Sequence, residues 1–344
     1  MQTQRVGLVG AGPATQAIHL PTLKMFGEQV RVTHIVDPNV TLAEAVAAPL
    51  GAKAFASIDD MLTDGVDIGV VASPNAFHAG QIEALCAAGV KGILAEKPLA
   101  TSADEAKTAA DAVRAAGVAL VVGAMHLYDP AWIAAFDSMS VHVKPPIRVR
   151  CATYLPPNSY YEDMATKMIR PPAPPKPAEP PSQADVLRGG VLGLAIHDLP
   201  LIRRFLPSLD SVTKAETAQP WGYAITANGE AGSVELLARM GDTWQADWTL
   251  HISDDDGSAL MMQMPPSYVH VGSATAVVSG APGSSTSTTF GPYQTDGYIA
   301  EWQELLAIMD GATPRYSLDD MVDDFLYALA LADLAVAANS GGKS

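Results

Sequence analysis

Two glycines and an aspartate near the start of the chain have types and spacings that could do chemistry. Gly10-Ala11-Gly12 stands between the apolar segment Arg5–Val9 and a stretch of helix-forming residues. Small residues there let the backbone turn tightly and approach a pyrophosphate, and the N–H groups at a helix start attract its negative charge. Asp37 ends the next apolar segment, where a carboxylate accepts hydrogen bonds from an adenosine ribose and repels a 2′-phosphate. These residues predict a site for NAD in preference to NADP.

The glycine motif departs from the full dinucleotide fingerprint at one position. The third glycine of that fingerprint falls on Thr15, and a Gly-x-Gly at a strand-to-helix turn is by itself a weak signal. Asp37 also has a structural alternative, as a turn residue before the helix that follows Asn39. The position of both features in an alternating pattern of strands and helices favours the nucleotide interpretation.

Lys97 is a candidate for proton chemistry. It follows the apolar segment Gly92–Ala95 and precedes Pro98, and a residue before proline is biased toward extended geometry. Its amine can therefore be aimed from a strand end at a bound substrate, where a positive charge stabilises a developing alkoxide. The alternative is an ordinary surface lysine in a loop.

The first part of the chain supplies a regular scaffold for these residues. Short β-branched segments predict strands at Arg5–Val9, Val30–Val36, Ile68–Ala72, Gly92–Ala95 and Ala119–Gly123. Stretches of good helix formers predict helices at Ala14–Phe26, Leu42–Leu50, Ala79–Ala88 and Ser102–Ala115. This alternation predicts an α/β domain with a doubly wound parallel sheet, a Rossmann domain, over residues 1–126.

The pattern changes in residues 127–344, which predict a second, α+β domain on a mostly antiparallel sheet. Its strand-like segments are Ile147–Tyr154, Val212–Glu216, Glu235–Arg239, Gln245–His251, Ala259–Met264 and Ala276–Val278. Its predicted helices are Asp129–Phe136, Val191–Phe205, Gly297–Met309 and Leu318–Ala338, the last expected to pack back on the first domain. The proline-rich residues 171–181 predict an extended surface loop.

Composition argues against several classes of function. The formal net charge is −16, whereas nucleic-acid binding needs clustered Lys and Arg. Only two cysteines, Cys86 and Cys151, argue against a disulfide framework, and no His, Cys and Asp cluster has the spacing of metal ligands. The sequence shows neither a signal-peptide pattern nor an apolar segment of membrane length. We therefore expect a cytoplasmic protein without metal, nucleic-acid or membrane partners.

Four segments resemble one known family in their order and spacing. They are residues 10–21 (GAGPATQAIHLP), 70–79 (VVASPNAFHA), 95–106 (AEKPLATSADEA) and 189–202 (GGVLGLAIHDLPLI). Together they are similar to the glucose-fructose oxidoreductase and inositol dehydrogenase (Gfo/Idh/MocA) family. The resemblance implies a nicotinamide-dependent oxidoreductase, with a Rossmann domain followed by a domain that carries the substrate site.

The glycine motif, Asp37 and the resemblance together imply a set of cofactor-binding residues at the ends of four strands. These are Gly10, Gly12, Pro13, Ala14, Asp37, Ala72, Ser73, Pro74, Asn75, His78, Glu96 and Lys97. Helix capping is an alternative role for Asn75 and His78, and capping is compatible with binding.

The same resemblance implies that Lys97 and His197 are catalytic and move the proton of a reacting hydroxyl. The family pattern has an aspartate four residues before this histidine, and this chain has Gly193 there. Asp198 does not simply replace it, because one residue along a helix lies about 100° around the axis. Either Lys97 and His197 suffice, or another group fills in, or the substrate lacks the hydroxyl that the aspartate binds.

By the same resemblance, Lys97, His126, Tyr128 and His197 are expected to bind substrate. Tyr154 is added because it stands with Tyr160 and Tyr161 near the end of the first strand of the second domain, where tyrosine hydroxyls suit a polyol. His126 and Tyr128 stand where family members often carry an arginine, which argues against a strongly anionic substrate. Plain packing is the alternative for His126. Tyrosine rings suit the C–H face of a sugar, although a tyrosine cluster could equally form an oligomer contact.

The leading hypothesis is a reversible dehydrogenase that uses NAD to oxidise a secondary hydroxyl of a sugar, sugar derivative or cyclitol. A homodimer or homotetramer through the second domain's sheet is expected, because that sheet is expected to leave an apolar face. One alternative is an NAD(P)H-dependent reductase of a keto-sugar or other carbonyl or imine. Another is a non-catalytic NAD-binding regulator, which Gly193 keeps open.

Overall fold

The computed structural model describes residues 3–139, 143–171, 179–241, 246–268, 270–280 and 286–341. Two predicted features fall partly outside these residues: 172–178 of the proline-rich stretch, and Gln245 of the strand predicted at Gln245–His251.

The described residues form two compact units. One contains residues 3–123, 162–171 and 301–325, and the other contains the described parts of 124–161, 179–300 and 326–341. The chain thus changes unit first after Gly123 and returns twice to the first unit.

Six strands form the sheet of the first unit. They are β1 (Gln4–Val9), β2 (Val30–Val36), β3 (Lys53–Phe55), β4 (Ile68–Val71), β5 (Gly92–Glu96) and β6 (Ala119–Gly123). All are parallel, in the order β3-β2-β1-β4-β5-β6. Every residue of β4 is buried, as expected for a parallel strand covered on both faces. The predicted doubly wound sheet is confirmed.

Eight strands form the sheet of the second unit. They are β7 (Ile147–Leu155), β8 (Ser211–Thr217), β9 (Gly222–Gly229), β10 (Gly232–Met240), β11 (Asp247–Ser253), β12 (Ala259–Gln263), β13 (Thr275–Ser279) and β14 (Ser287–Phe290). Their order is β14-β13-β12-β11-β7-β10-β9-β8. Only β7 and β10 pair in parallel in the described sheet. The predicted mostly antiparallel sheet is confirmed.

Twelve α-helices are found in the described residues. They are α1 (Leu20–Lys24), α2 (Val40–Ala47), α3 (Ile58–Asp64), α4 (His78–Ala87), α5 (Ala103–Ala116), α6 (Met125–Tyr128), α7 (Pro130–Met139), α8 (Asn158–Ala165), α9 (Gln183–Gly193), α10 (Leu199–Arg203), α11 (Gly297–Met309) and α12 (Leu318–Gly341). Within the same residues, none of these helices has the length and apolar character needed to cross a membrane.

The helix predicted over Val191–Phe205 is wrong. Helix α9 ends at Gly193, a separate short 3-10 turn covers Ala195–His197, and α10 begins at Leu199. Glycine is a poor helix former, and Pro200 in the first turn of α10 favours a new start because its missing N–H costs nothing there. The angle assumed between His197 and Asp198 on a continuous helix therefore does not apply.

Side chains alternate between the two faces of the second sheet. In β7, Val149, Cys151 and Thr153 are buried, whereas Arg150 and Tyr154 lie on the opposite, more exposed face. On that open face Met261 of β12 is 55% exposed. Association of two chains through this face stays a prediction.

Candidate active site

The carboxyl ends of β1 and β4 lie side by side at the centre of the first sheet. These two strands are neighbours, and the chain runs outward from them in both directions. Open parallel sheets bind ligands at such a switch point. Ala72 N–H donates to the Val9 carbonyl at 2.8 Å, and Gly10 N–H donates to the Val36 carbonyl at 2.8 Å. The loops after three adjacent strands, β2, β1 and β4, are thereby tied together.

Gly10 and Gly12 are required for different reasons. Gly10 has φ +104°, and a Cβ added there would lie 2.5 Å from the Ala72 carbonyl oxygen, so only glycine fits. At Gly12 no heavy atom of the described residues lies within 4 Å of an added Cβ. The fold itself therefore does not demand a glycine at position 12, whereas the close approach of a pyrophosphate would.

Thr15 replaces the third glycine of the fingerprint without loss of packing. Its hydroxyl donates to the Gly10 carbonyl, and the whole residue is buried. The turn that it begins, Thr15–His19, is a π-helix that runs into α1, and such wide turns are frequent at functional sites. The threonine closes the loop with its own side chain.

Gln16 joins this loop to a distant part of the chain. Its amide Nε2 donates to the carbonyls of Ala11 and Ile169, at 2.8 and 2.9 Å, and its Oε1 accepts from Ile169 N–H at 2.8 Å. We call residues 162–171 the strap. Arg170 holds the strap's own bend through ion pairs with Glu162 and Asp163, so the strap is both internally bridged and anchored beside Ala11.

Asp37 lies at the end of β2 with both oxygens engaged. Its Oδ2 accepts from Ala11 N–H at 3.0 Å and its Oδ1 from Asn39 N–H at 2.8 Å. The side chain thus fixes the Gly10–Gly12 loop as well as the start of α2. A carboxylate has about four acceptor positions, so two remain for the hydroxyls of a ribose.

Residues after β4 are held by a buried histidine. Pro74 and Asn75 are exposed, Ser73 is partly exposed, and the Ser73 hydroxyl donates to Gln81 Oε1 at 2.7 Å. His78 is 1% exposed and brings its Nε2 within 2.8 Å of the Ser73 carbonyl and its Nδ1 within 2.7 Å of the Pro98 carbonyl. His78 therefore connects the loop after β4 to the loop after β5.

Glu96 and Lys97 end β5, beside His19. His19 Nε2 lies 3.1 Å from Glu96 Oε1. Burial alone would raise the pKa of Glu96, but the hydrogen bond from His19 and the charges of His19 and Lys97 outweigh it and lower this pKa. Burial lowers the pKa of Lys97, against the opposing effect of the Glu96 charge. The first unit thus presents a lysine that gives up its proton more readily than an exposed one.

A buried carboxylate organises the candidate site of the second unit. Asp198 is 1% exposed and accepts from His126 Nδ1 at 2.8 Å, from Trp248 Nε1 at 2.9 Å and from Cys151 Sγ at 3.2 Å. Burial and the Asp198 charge raise the pKa of the Cys151 thiol well above its ordinary value. The thiol therefore stays protonated and donates.

His197 belongs to the same cluster. Its ring centroid lies 5.9 Å from that of His126 and 5.8 Å from that of Trp248, and His126 itself packs edge-on to Trp248 at 4.6 Å. His197 is partly exposed, whereas His126 is 4% exposed. The structure thus brings two of the predicted residues together around one tryptophan.

The two predicted tyrosines lie elsewhere in this unit. Tyr128 is fully enclosed at 2% exposure, two residues beyond His126 in the single turn of α6. Tyr154 lies on the open face of β7, opposite the face from which Cys151 reaches Asp198. Alternation along a strand therefore separates Tyr154 from the His126 cluster.

No site role was predicted from the sequence for Gln16, His19, Cys151, Asp198 or Trp248. Gln16 and His19 stand inside the 10–21 segment that resembles the family, and Asp198 was set aside because of its assumed angle to His197. Trp248 is a single apolar residue in a strand. Nothing in the sequence around Gln16 indicates that it bonds to Ile169, 153 positions away.

A comparison with known families agrees with this geometry over the first unit. Residues 4–124 match the model of an oxidoreductase family described as having an NAD-binding Rossmann fold, GFO_IDH_MocA. The N-terminal domain belongs to the Gfo/Idh/MocA family. The resemblance predicted from four segments is thereby confirmed.

Relatives of the chain include an inositol 2-dehydrogenase from Cereibacter sphaeroides. The two are 34% identical over 168 residues, which is 47% of this chain and 49% of that protein. The chain thus matches about half the length of this relative.

Solved structures extend the similarity of fold to the whole chain. A putative myo-inositol dehydrogenase from Sinorhizobium meliloti matches 99% of this chain and 98% of its own with a TM-score of 0.68 and 21% identity. A 3-ketoreductase from Actinomadura kijaniata, KijD10, in complex with NADP, matches 95% and 96% with a TM-score of 0.70 and 18% identity. At these identities the likeness concerns the fold of both domains.

Proposed function

We propose that the protein is an NAD-dependent dehydrogenase that oxidises a secondary hydroxyl of a sugar, sugar derivative or cyclitol. The observation that carries this proposal is Lys97, a lysine of lowered pKa at the carboxyl edge of a Rossmann sheet. The inositol 2-dehydrogenase relative makes a cyclitol the first substrate to test.

The residues of the first unit fit a dinucleotide. Gly12 leaves room for a pyrophosphate beside the Gly10–Gly12 loop, and the carboxylate of Asp37 retains acceptor positions for a ribose. Loops after β4 and β5 supply Ser73, Asn75 and Lys97 around the rest of the proposed cofactor site. Bound NAD would supply the hydride acceptor, and the protein would supply position and charge.

In this proposal Lys97 acts on the reacting hydroxyl. Its ammonium form donates a hydrogen bond to the oxygen and stabilises the alkoxide as the O–H proton leaves. Burial lowers the pKa of Lys97, so this ammonium gives up its proton more readily than that of an exposed lysine. A histidine is proposed to exchange the hydroxyl proton, and the family resemblance implies His197 for this role.

The preference for NAD is proposed on Asp37. A carboxylate there would face the 2′-phosphate of NADP, and two charges about 4 Å apart repel by about 1 to 4 kcal/mol near a protein surface. We expect Asp37→Ser combined with Pro38→Arg to lower the ratio of NADP to NAD dissociation constants by at least about tenfold. Pro38→Arg alone, which keeps the carboxylate, is the control, and an unchanged ratio in the double variant would refute the assignment.

Turnover is tested with purified protein, NAD and a panel of cyclitols, sugars and sugar derivatives, followed at 340 nm. We expect oxidation of at least one polyol, and loss of about 10²-fold or more of that rate in Lys97→Met. Lys91→Met is the matched control, because Lys91 precedes β5 at the opposite edge of the sheet and pairs with Asp67 at the surface. Absence of both turnover and NAD binding would refute the proposed function.

A further inference from the structure

The buried carboxylate of Asp198 is surrounded by donors. Its Oδ1 faces His126 Nδ1, and its Oδ2 accepts from both the indole N–H of Trp248 and the thiol of Cys151. An indole N–H only donates, and the raised pKa of Cys151 keeps its thiol protonated. The ionised carboxylate, which only accepts, suits all three contacts.

This arrangement fixes which nitrogen of His126 carries the proton. A neutral imidazole has one N–H, and Nδ1 must provide it because the partner at 2.8 Å is an acceptor. The lone pair is then on Nε2. When Nε2 takes up a proton, the adjacent carboxylate stabilises the imidazolium that forms, as in a His–Asp pair of a hydrolase.

Charged and titratable groups surround this pair from several elements. His197 lies across Trp248, Cys151 projects from β7, and Tyr223 from β9 has its pKa raised by burial and by the charges of Cys151 and Asp198. Asp129, after α6, has its pKa raised by burial although the His126 charge and backbone hydrogen bonds oppose the shift. Asp198 is the carboxylate in hydrogen-bond contact with His126 within the described residues.

We propose that His126, oriented by Asp198, is the histidine that accepts the hydroxyl proton in this chain, where Gly193 leaves His197 without the aspartate of the family pattern. This inference rests on the proposed function. In alcohol oxidation the O–H and C–H bonds of the substrate break and a C=O bond forms. The proton would pass to His126 Nε2, and NAD, which the Gly10–Gly12 loop and Asp37 would hold, would supply the acceptor for the hydride and its two electrons. His126 is the catalytic residue of this pair and Asp198 its positioning residue.

The decisive variant is Asp198→Asn. The asparagine oxygen must accept from Trp248 and Cys151, so its NH₂ group faces His126. Nδ1 of His126 then accepts a hydrogen bond, and the proton of the neutral ring moves to Nε2. Nε2 of His126 no longer has a lone pair that could accept a proton, while the shape of the side chain at position 198 is almost unchanged. We expect kcat to fall by about 10²- to 10⁴-fold with KM changed less than about threefold, and nitrogen-15 NMR of the histidines to report the change of tautomer.

Two further variants separate catalysis from structure. Cys151→Ala removes another donor to Asp198 but leaves His126 in place, so nitrogen-15 NMR should still report the Nδ1–H tautomer of His126. His126→Gln is expected to lose as much activity as Asp198→Asn, and the double variant no more than either, because residues that act as one unit are not additive. His126→Gln also tests the proposal if Asp198→Asn does not fold.

The outcomes distinguish this inference from the function on which it rests. An Nε2–H tautomer of His126 in the parent protein, or full turnover by folded Asp198→Asn or His126→Gln, overturns the pair while leaving the dehydrogenase intact. The Nδ1–H tautomer in a protein that turns over no polyol and no keto-sugar overturns the proposed function, and the proton-accepting role with it. The Nδ1–H tautomer together with the kcat losses supports both.

Discussion

Replacing Gln16 by alanine should release the strap, residues 162–171, from the loop that carries Gly10 and Gly12. The Gln16 amide makes three hydrogen bonds, two of them with the backbone of Ile169 and one with the Ala11 carbonyl. The Gln16 side chain is buried, at 5% exposure for the residue. Its loss leaves the strap held by its own Arg170 ion pairs, which do not reach Ala11.

The size of the effect follows from the number of bonds. Each contributes about 0.5 to 1.5 kcal/mol net, so three contribute about 1.5 to 4.5 kcal/mol to the closed strap. Since about 1.4 kcal/mol corresponds to a factor of ten, the equilibrium constant for local opening of the strap should rise by about ten- to a thousandfold. Global stability should fall less, because local opening of a loop does not require the core to unfold.

Hydrogen exchange of the Ile169 amide measures this opening directly. We expect its protection factor to fall by about ten- to a thousandfold in Gln16→Ala, and NAD to dissociate faster. Gln16→Glu sharpens the test: it keeps the length of the side chain but turns a carboxylate oxygen toward two carbonyls, so exchange should be at least as fast as in Gln16→Ala. Gln81→Ala, which removes a hydrogen bond with Ser73, should leave Ile169 protected. An unchanged Ile169 protection factor in both Gln16 variants would refute the anchoring role.

Four further variants test the roles of the glycines and of Lys97. Gly10→Ala should lower the free energy of unfolding by about 2 to 5 kcal/mol, because its Cβ meets the Ala72 carbonyl at a positive φ. Gly12→Ala should change the free energy of unfolding, measured in urea, by less than about 1 kcal/mol. The same Gly12 variant should weaken NAD binding at least about tenfold. Lys97→Met should be more stable than the parent at pH 7, because the parent buries a charge. That difference should shrink as pH rises toward 10, since a lysine of lowered pKa loses its proton in the folded state first; urea melts at several pH values check this, and a pH-independent difference would contradict it. Gly193→Asp should fold with a change in the free energy of unfolding below about 1 kcal/mol, because its Cβ meets no described atom within 4 Å. The better helix propensity of aspartate is opposed by the cost of a negative charge at the C-terminal end of α9, and both effects are small. We expect its turnover to change by less than about tenfold, and a hundredfold gain would show that the missing carboxylate limits the reaction.

The first unit was predictable because its signals are local. Strands Val30–Val36 and Ala119–Gly123 were predicted at the residues where they occur, since runs of β-branched and apolar residues between helix formers mark buried parallel strands. The short edge strand β3, Lys53–Phe55, was missed, because three residues with one polar side chain have no period to detect. Gly10 was identified correctly, but its closest neighbour, the Ala72 carbonyl, comes from β4 and is not visible in the motif.

In the second unit the sequence carries fewer local signals. Strand β9, Gly222–Gly229, was missed because glycine at both ends and Asn228 resemble a loop more than a strand. The helix over Val191–Phe205 was predicted because most of its residues are good helix formers. In the structure one helix ends at Gly193 and a new one begins at Leu199, just before Pro200. Propensity summed over a window does not register such a break.

The consequence of that break is chemical. On a continuous helix, Asp198 would lie about 100° around the axis from His197, the histidine four residues beyond Gly193. With the helix interrupted, Asp198 instead meets His126, which is 72 residues away in sequence. A carboxylate absent from one position of a motif can thus be supplied by another position, provided that the backbone between them turns. The departure at Gly193 is therefore a reason to examine the partner of His126, and not by itself a reason to expect an inactive protein.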